Sequence, residues 1–344
     1  MKIFKFCIML MIFLCLISCA TTLKIQVERP AKTDLNGAKT IAVLPFKPYK
    51  IKDSFDVFYF LTDAFIFDSE RCDPDEKRCI EKLKYEIEDG LAKSPYITLI
   101  NSAEVQKAIK NNYINPADVY LVGKVSYFFV DDVKHNVKRP VKHYVIDEEG
   151  NKKEVTEYEC FFEFSRNVTF IFNYQIVNSA DSKVLSNGSV ELNNQSGHYN
   201  SKSELPSVYS LLQYNLSDAA KKILREIQPY TITKSIKLLK DKTKNPDMKN
   251  ADKLAAEFYL QESYDEFLKI YNSTGLFEAG YNAAVLKEVM GDLYGAKKML
   301  EELYSKTFDE RALKCINDIE NEIFLAERLK NQTETENENE FLDF

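Results

Sequence analysis

The hydrophobic period of this chain changes at Pro206, and that change dictates two architectures in one polypeptide. Upstream, apolar residues recur at every second position. Thr156, Tyr158, Cys160, Phe162 and Phe164 share one face, Glu157, Glu159 and Glu163 the other, and Val168, Phe170, Phe172, Tyr174 and Ile176 resume the alternation. A period of two is that of a strand with one face covered. Downstream, Leu211, Leu212, Leu216, Ala219, Ala220, Ile223, Leu224 and Ile227 recur at three- and four-residue steps until Pro229, and the later segments keep the helical period. The fold class this predicts is α+β: a mixed sheet with packed helices, followed by an all-α domain.

Within the first part, Ile41–Phe46, Tyr96–Ile100, Asp118–Val130 and Lys183–Leu192 read as strands, with Gly123 allowing a close backbone approach. His143–Ile146 and Val155–Phe164 flank the turn-rich stretch Asp147–Lys153 and read as a hairpin. Cys160, on the apolar face of its strand, is expected in the core. Helices are predicted over Asp53–Ser69, through Ile80, Leu83, Ile87 and Leu91, and from a capping box at Asn101 and Glu104 to Ile109.

The N-terminus carries a location signal. Lys2 and Lys5 precede an apolar run from Phe6 to Ile17, which suits a secretory signal and is too short for a bilayer span of about 20 residues. The run closes on Leu16-Ile17-Ser18-Cys19, which resembles the bacterial lipobox. The resemblance implies cleavage before Cys19, a diacylglycerol on its thiol and an acyl chain on its new amine, with no other cofactor. Two or more acyl chains give stable anchoring where one does not. Ala20, in place of an Asp, implies sorting to the outer membrane, facing periplasm or surface.

Two further resemblances follow. The order strand, helix, strand, helix, strand, β-meander and helix, with Val27–Ala31, Lys39–Phe46, Ile97–Asn101 and Ala117–Val125, resembles the curli-secretion lipoprotein superfamily, which includes activators of penicillin-binding proteins. It implies a non-catalytic periplasmic α/β domain that binds other proteins. Tyr281–Ala284, Gly291, Asp292, Ala296, Leu300 and Leu303 resemble a tetratricopeptide repeat, with a weaker copy from Leu254 to Tyr271. That implies a partner surface on its inner helix at Asn282, Val285, Leu286 and Glu288. The expected organisation is a signal peptide at 1–18, a lipidated tether at 19–38, the α/β domain at 39–230, a linker at 231–250, tetratricopeptide-like helices at 251–330, and an acidic disordered tail at 331–344.

Chemistry is sparse. The chain has no phosphate loop, nucleophile elbow or zinc-protease motif, and His135, His143 and His198 have no ligand-spaced partner. No enzyme and no metal site are expected. The net charge is −7, and loss of Lys2 and Lys5 makes it −9, which opposes nucleic-acid binding. Cys72 and Cys79 flank a polar stretch, Asp73–Arg78. A disulfide there would add about 2–3 kcal/mol in an oxidising compartment. The alternative, a metal held with Asp73, Asp75 and Glu76, lacks a second ligand pair.

The expected function is that of a membrane-anchored interaction module of the cell envelope, binding envelope proteins or peptides, its oligomeric state open. The alternative is a subunit of an oligomeric export channel. Cys19→Ala is expected to abolish incorporation of labelled palmitate and to leave uncleaved precursor or released protein in fractionated cells. Palmitate labelling of the variant would refute the lipobox reading.

Overall fold

The computed structural model describes residues 21–49, 72–110, 116–146, 148, 150–241, 243 and 245–334. Cys19 with its signal segment, the helix expected at Asp53–Ser69 and the last part of the acidic tail lie outside the described residues. The chain forms two compact units, Ala31–Gln228 and Met1–Pro30 together with Pro229–Phe344.

The first unit is built on a five-stranded mixed sheet, as its alternating pattern requires. Its strands are β2 (Thr40–Val43), β3 (Thr98–Ile100), β4 (Val119–Ile146), β5 (Lys152–Asn178) and β6 (Val184–Gln195), in the order β3-β2-β4-β5-β6. β2 runs parallel to β3 and β4, and the other pairs are antiparallel. Helices α1 (Pro74–Ala92) and α3 (Val208–Ile227) pack on one sheet face through Leu83, Ile87, Leu212, Leu216 and Ile223, against Phe170, Phe172 and Ile176. On the opposite face lies a smaller apolar cluster in which Val105 of α2 (Ser102–Lys110) meets Tyr120 and Val122. Gly123 is required where it stands: a Cβ there would come within 2.1 Å of the Phe172 ring.

α1 starts six residues earlier than its hydrophobic spacing suggested, capped by Asp73, whose side chain accepts from the amides of Asp75 and Glu76. The polar stretch between Cys72 and Cys79 is therefore helical. Cys79 faces the core, Cys72 lies before the cap, and both thiols are free. Seven residues along a helix rise about 10 Å, beyond the roughly 7 Å limit between bridged Cα atoms. With α1 intact they do not pair.

The second unit is discontinuous. β1 (Thr22–Arg29) pairs antiparallel with β7 (Tyr230–Lys237), in register from Thr22–Lys237 to Arg29–Tyr230. This corrects the expected tether and linker: both hold paired strands, and α4 already begins at Pro246. The pairing spans about two hundred residues, so no local signal announces it. Helices α4 (Pro246–Ala256), α5 (Leu260–Thr274), α6 (Phe277–Val289), α7 (Leu293–Thr307) and α8 (Glu310–Glu334) follow, each packed on the next. Gly291, at φ +90°, makes the turn between α6 and α7, and the fully buried Ala284 and Ala296 belong to the core of this unit.

A buried ion network joins the strand pair to the helices. Arg29 donates two 2.7 Å bonds to Glu322, and Lys234 reaches Glu288 at 2.6 Å and Glu322 at 2.8 Å. Burial opposes ionisation of Glu322, but bonds from Arg29 and Lys234 outweigh it and hold the carboxyl below its usual range. Asp252 on α4 is the opposite case. Burial pushes its carboxyl up to about 6, and its Oδ1 has no hydrogen-bond partner.

Two stability measurements check this. Arg29→Ala removes the bidentate partner of the buried Glu322 and leaves Lys234 as its remaining cation, and is expected to lower unfolding free energy by about 2–3 kcal/mol in urea titrations at neutral pH. Glu322 contributes its stabilisation above the ordinary glutamate range and loses it as pH falls through the lower folded value, so the variant's deficit should shrink in acid. Asp252, raised in the folded state, costs stability as pH rises from the ordinary aspartate range to about 6. Asp252→Asn should therefore stabilise at pH 8 and have no effect at pH 3.

Candidate functional site

Residues 119–178 form one long hairpin of which only half belongs to the sheet. The third strand, β6, accompanies β5 from Val177 back to Asn167, and a last bridge joins Phe164 to Tyr199. Beyond it, eleven cross-strand pairs from Asn136–Phe162 to Ile146–Lys152 have neither a third strand nor a helix among the described residues. At about 3.4 Å per residue this ribbon projects some 35 Å. The hairpin expected near residue 147 is thus the tip of a much longer one.

The root of the ribbon is fixed by polar contacts. Arg166 clamps Asp132 with two bonds of 2.7 and 2.8 Å and donates to the carbonyl of Pro206 at 3.0 Å, just before α3. Those bonds to Arg166 hold the Asp132 carboxyl below its usual range. Three pairs further out, Glu163 accepts from Arg139 and, at 2.8 Å, from Nδ1 of His198. The rings of His198 and His135 stack at 4.5 Å, and His135 Nε2 contacts Ser165 Oγ at 2.8 Å. Sequence spacing gave no hint of this pair, because His135 and His198 are brought together only by the sheet. A serine beside a histidine resembles an activated nucleophile, but Ser165 has no exposed surface on which to meet a substrate.

The two faces of the ribbon differ. Cross-strand partners share a face, so the odd-numbered face holds Val137, Arg139, Val141 and His143 opposite Phe161, Glu159, Glu157 and Val155. On it Arg139 pairs with Glu163 and His143 contacts Glu159 at 3.0 Å, while Glu157 adds a further carboxylate. The even-numbered face carries Lys134, Lys138, Lys142 and Lys152 with exposed Tyr144, Tyr158 and Phe162. Lys134 lies 3.4 Å from the Phe162 ring centroid, and Lys142 pairs with Glu154. Cys160, expected in the core, is exposed on this face. The cause is that the covering helices end before its strand does.

The residues expected to bind a partner on the helical unit are buried. Asn282, Val285 and Leu286 are at most 1% exposed, and Glu288 is 8% exposed. Asn282 holds the backbone of Leu239, accepting from its amide at 2.7 Å and donating to its carbonyl at 2.8 Å, while Glu288 binds Lys234 of β7. This face is occupied by the chain's own segment. Beside it a cleft of about 380 Å³ stays open, lined by Tyr281, Arg311 and Cys315 among others.

Among the described residues no helix is long and apolar enough to cross a membrane, and no group of three or more His, Cys, Asp or Glu is placed to hold a metal. No family model matches the chain, and no curated protein matches it. Solved structures similar to it include the PelC dodecamer from Paraburkholderia phytofirmans, at 14% identity, covering 60% of this chain and 97% of that one, with a TM-score of 0.24. Lipoprotein GNA1162 from Neisseria meningitidis is 15% identical over 54% of this chain and 98% of that one, with a TM-score of 0.25. A putative neuraminyllactose-binding hemagglutinin homolog from Helicobacter pylori is 9% identical over 57% and 89%, with a TM-score of 0.30. Likenesses at this level assign neither family nor function.

A ribbon outside the core should be removable. Replacing residues 138–160 by Asn-Gly closes Val137 against Phe161 through a tight turn. The melting temperature is expected to move by no more than about 3 °C in calorimetry. A collapse of the transition would place the ribbon within the cooperative core.

Proposed function

We propose that this chain is a lipid-anchored, non-catalytic protein of the bacterial cell envelope, held at the outer membrane by acyl chains on Cys19, that meets envelope partners with its β4–β5 ribbon. The observation that carries the reading is the ribbon itself. Eleven strand pairs extend past the last supporting element with ring and aliphatic side chains exposed, although a two-stranded hairpin without a core is only marginally stable in water. Such a structure gains buried area only by meeting something else. The lipobox resemblance at Cys19 supports the location, and anchoring raises the effective concentration of any partner on the same membrane. The helical unit, read as a tetratricopeptide-like stack, serves its own β1–β7 pair, so the partner surface moves from those helices to the ribbon.

A second reading, a subunit of an export channel, has one feature in its favour: the ribbon arms match the 9–11 residues of a membrane strand. A barrel strand also needs one continuous apolar face. The odd face is broken by Arg139, His143, Glu157 and Glu159, and the even face by Lys134, Lys138, Lys142, Lys152 and Glu154, which favours the first reading.

Photocrosslinking in intact cells separates these proposals. A benzophenone side chain at Glu157 or Phe161, on the odd face, is expected to give discrete adducts with envelope proteins, whereas one at the exposed Tyr214 of α3 is not. Adducts at Tyr214 alone, or at no position, would remove the ribbon from the account. Ring-shaped particles with bilayer conductance would favour the channel.

A further inference from the structure

We propose that the even-numbered face of the ribbon lies flat on an anionic phospholipid surface, leaving the odd-numbered face turned away. This deepens the reading of the ribbon as the contact element and assigns a chemistry to one of its faces. Three observations carry it.

The first is charge. On the odd face Arg139 pairs with Glu163, and Glu157 and Glu159 add further carboxylates, but on the even face Lys138 and Lys152 have no carboxylate at ion-pair distance among the described residues, and Lys134 sits over a ring. A protein of net charge −7 therefore keeps a local row of cations, spaced about four residues along the strand. A row of this kind acts within a Debye length of about 8 Å, where distant acids are screened.

The second is the apolar content between those cations. Tyr144, Tyr158 and Ile146 are 69, 71 and 72% exposed, with Phe162 at 53%. Aromatic rings with lysines alongside are the composition of the membrane–water boundary, where the ring enters the headgroup layer and the ammonium stays in water. A sugar polymer would stack on the rings too, but Ile146 offers it no polar partner and no ring. An aliphatic side chain beside lysines favours lipid.

The third is shape. Among the described residues the face is an open ribbon with no groove, so it suits a planar ligand, and the acidic sequence Asp147-Glu148-Glu149 between the two arms opposes insertion into the hydrocarbon. Contact along the length, without penetration, is the arrangement that satisfies both ends.

The chain has no tryptophan, so a single introduced indole reports its own face. The full-length protein is reconstituted on vesicles with and without phosphatidylglycerol, with brominated lipid as quencher, carrying either Tyr158→Trp or Phe161→Trp. The anchor places the protein on both compositions, so a difference between them reports the ribbon and not the anchor, whose presence is read separately by palmitate labelling. Anionic vesicles are expected to quench and blue-shift the indole at position 158 and to leave that at 161 unchanged. The triple substitution Lys134→Gln, Lys138→Gln and Lys152→Gln should weaken the anionic contact roughly 100-fold. Far-UV dichroism checks that each variant folds. Equal quenching from both faces, no dependence on anionic lipid, or a response to polygalacturonate without one to vesicles would each overturn the proposal.

Discussion

Everything peculiar to this protein follows from the ladder between β4 and β5. At its inner end Val119, Leu121 and Val125 of β4 face the helix-covered side together with Ile176 and Phe172 of β5. Ser126 is then inserted without a partner, its hydroxyl turned to the carbonyl of Ile171. The extra residue exchanges odd for even, so Phe128 and Val130 take over the covered face beside Phe170 and Val168. Because side chains alternate strictly, that one insertion decides which face receives Lys134, Lys138 and Lys142, roughly 27 to 54 Å further along the strand. Without it, these lysines would stand among the glutamates.

The aromatic stripe of the ribbon is thus the outward continuation of the core. Phe172, Phe170, Phe164, Phe162 and Tyr158 form a single alternating row on β5. The first two are fully buried under α1 and α3, whereas Phe162 and Tyr158 are exposed. Arg166 marks the border, since it interrupts the row and ties β4 to the residue that precedes α3. An arginine bonded on both sides is a polar terminus for an apolar layer. Past it, the same pattern of residues faces a different medium.

That border explains what could be read from the sequence and what could not. The alternation over residues 156–176 and the helical period of residues 211–227 and of the segments after Pro246 are local, and those elements are found where they place them, whereas the strand Tyr230–Lys237 interrupts the helices expected after Pro206. Burial is not local. Nothing in Thr156–Phe164 distinguishes a strand under helices from one beyond them, which is why Cys160 was expected inside. The pairing of β1 with β7 and the stacking of His135 on His198 are likewise long-range and silent in spacing. Asn282 and Glu288 illustrate the reverse error: polar residues on a repeat's inner helix suggested an open surface, but their partners, Leu239 and Lys234, are supplied by the same chain.

The two units therefore meet their unsatisfied surfaces in opposite ways. The helical unit recruits a strand pair from two segments some two hundred residues apart and neutralises the carboxylates of Glu288 and Glu322 with Arg29 and Lys234, so its inner face is closed. Buried charges of this sort are tolerated only when all are paired, which makes the closure all-or-none. The sheet unit does not close: its longest strands outrun the helices that could cover them, and nothing described in the chain folds back over their even face. Adding more of the same apolar row would make the ribbon prone to edge-to-edge association, and the lysines set between the rings oppose that by like-charge repulsion between copies. The same lysines leave the face attracted to anionic surfaces. Solubility of the exposed ribbon and selectivity for its ligand are then one property, set by the placement of cations along a row of rings.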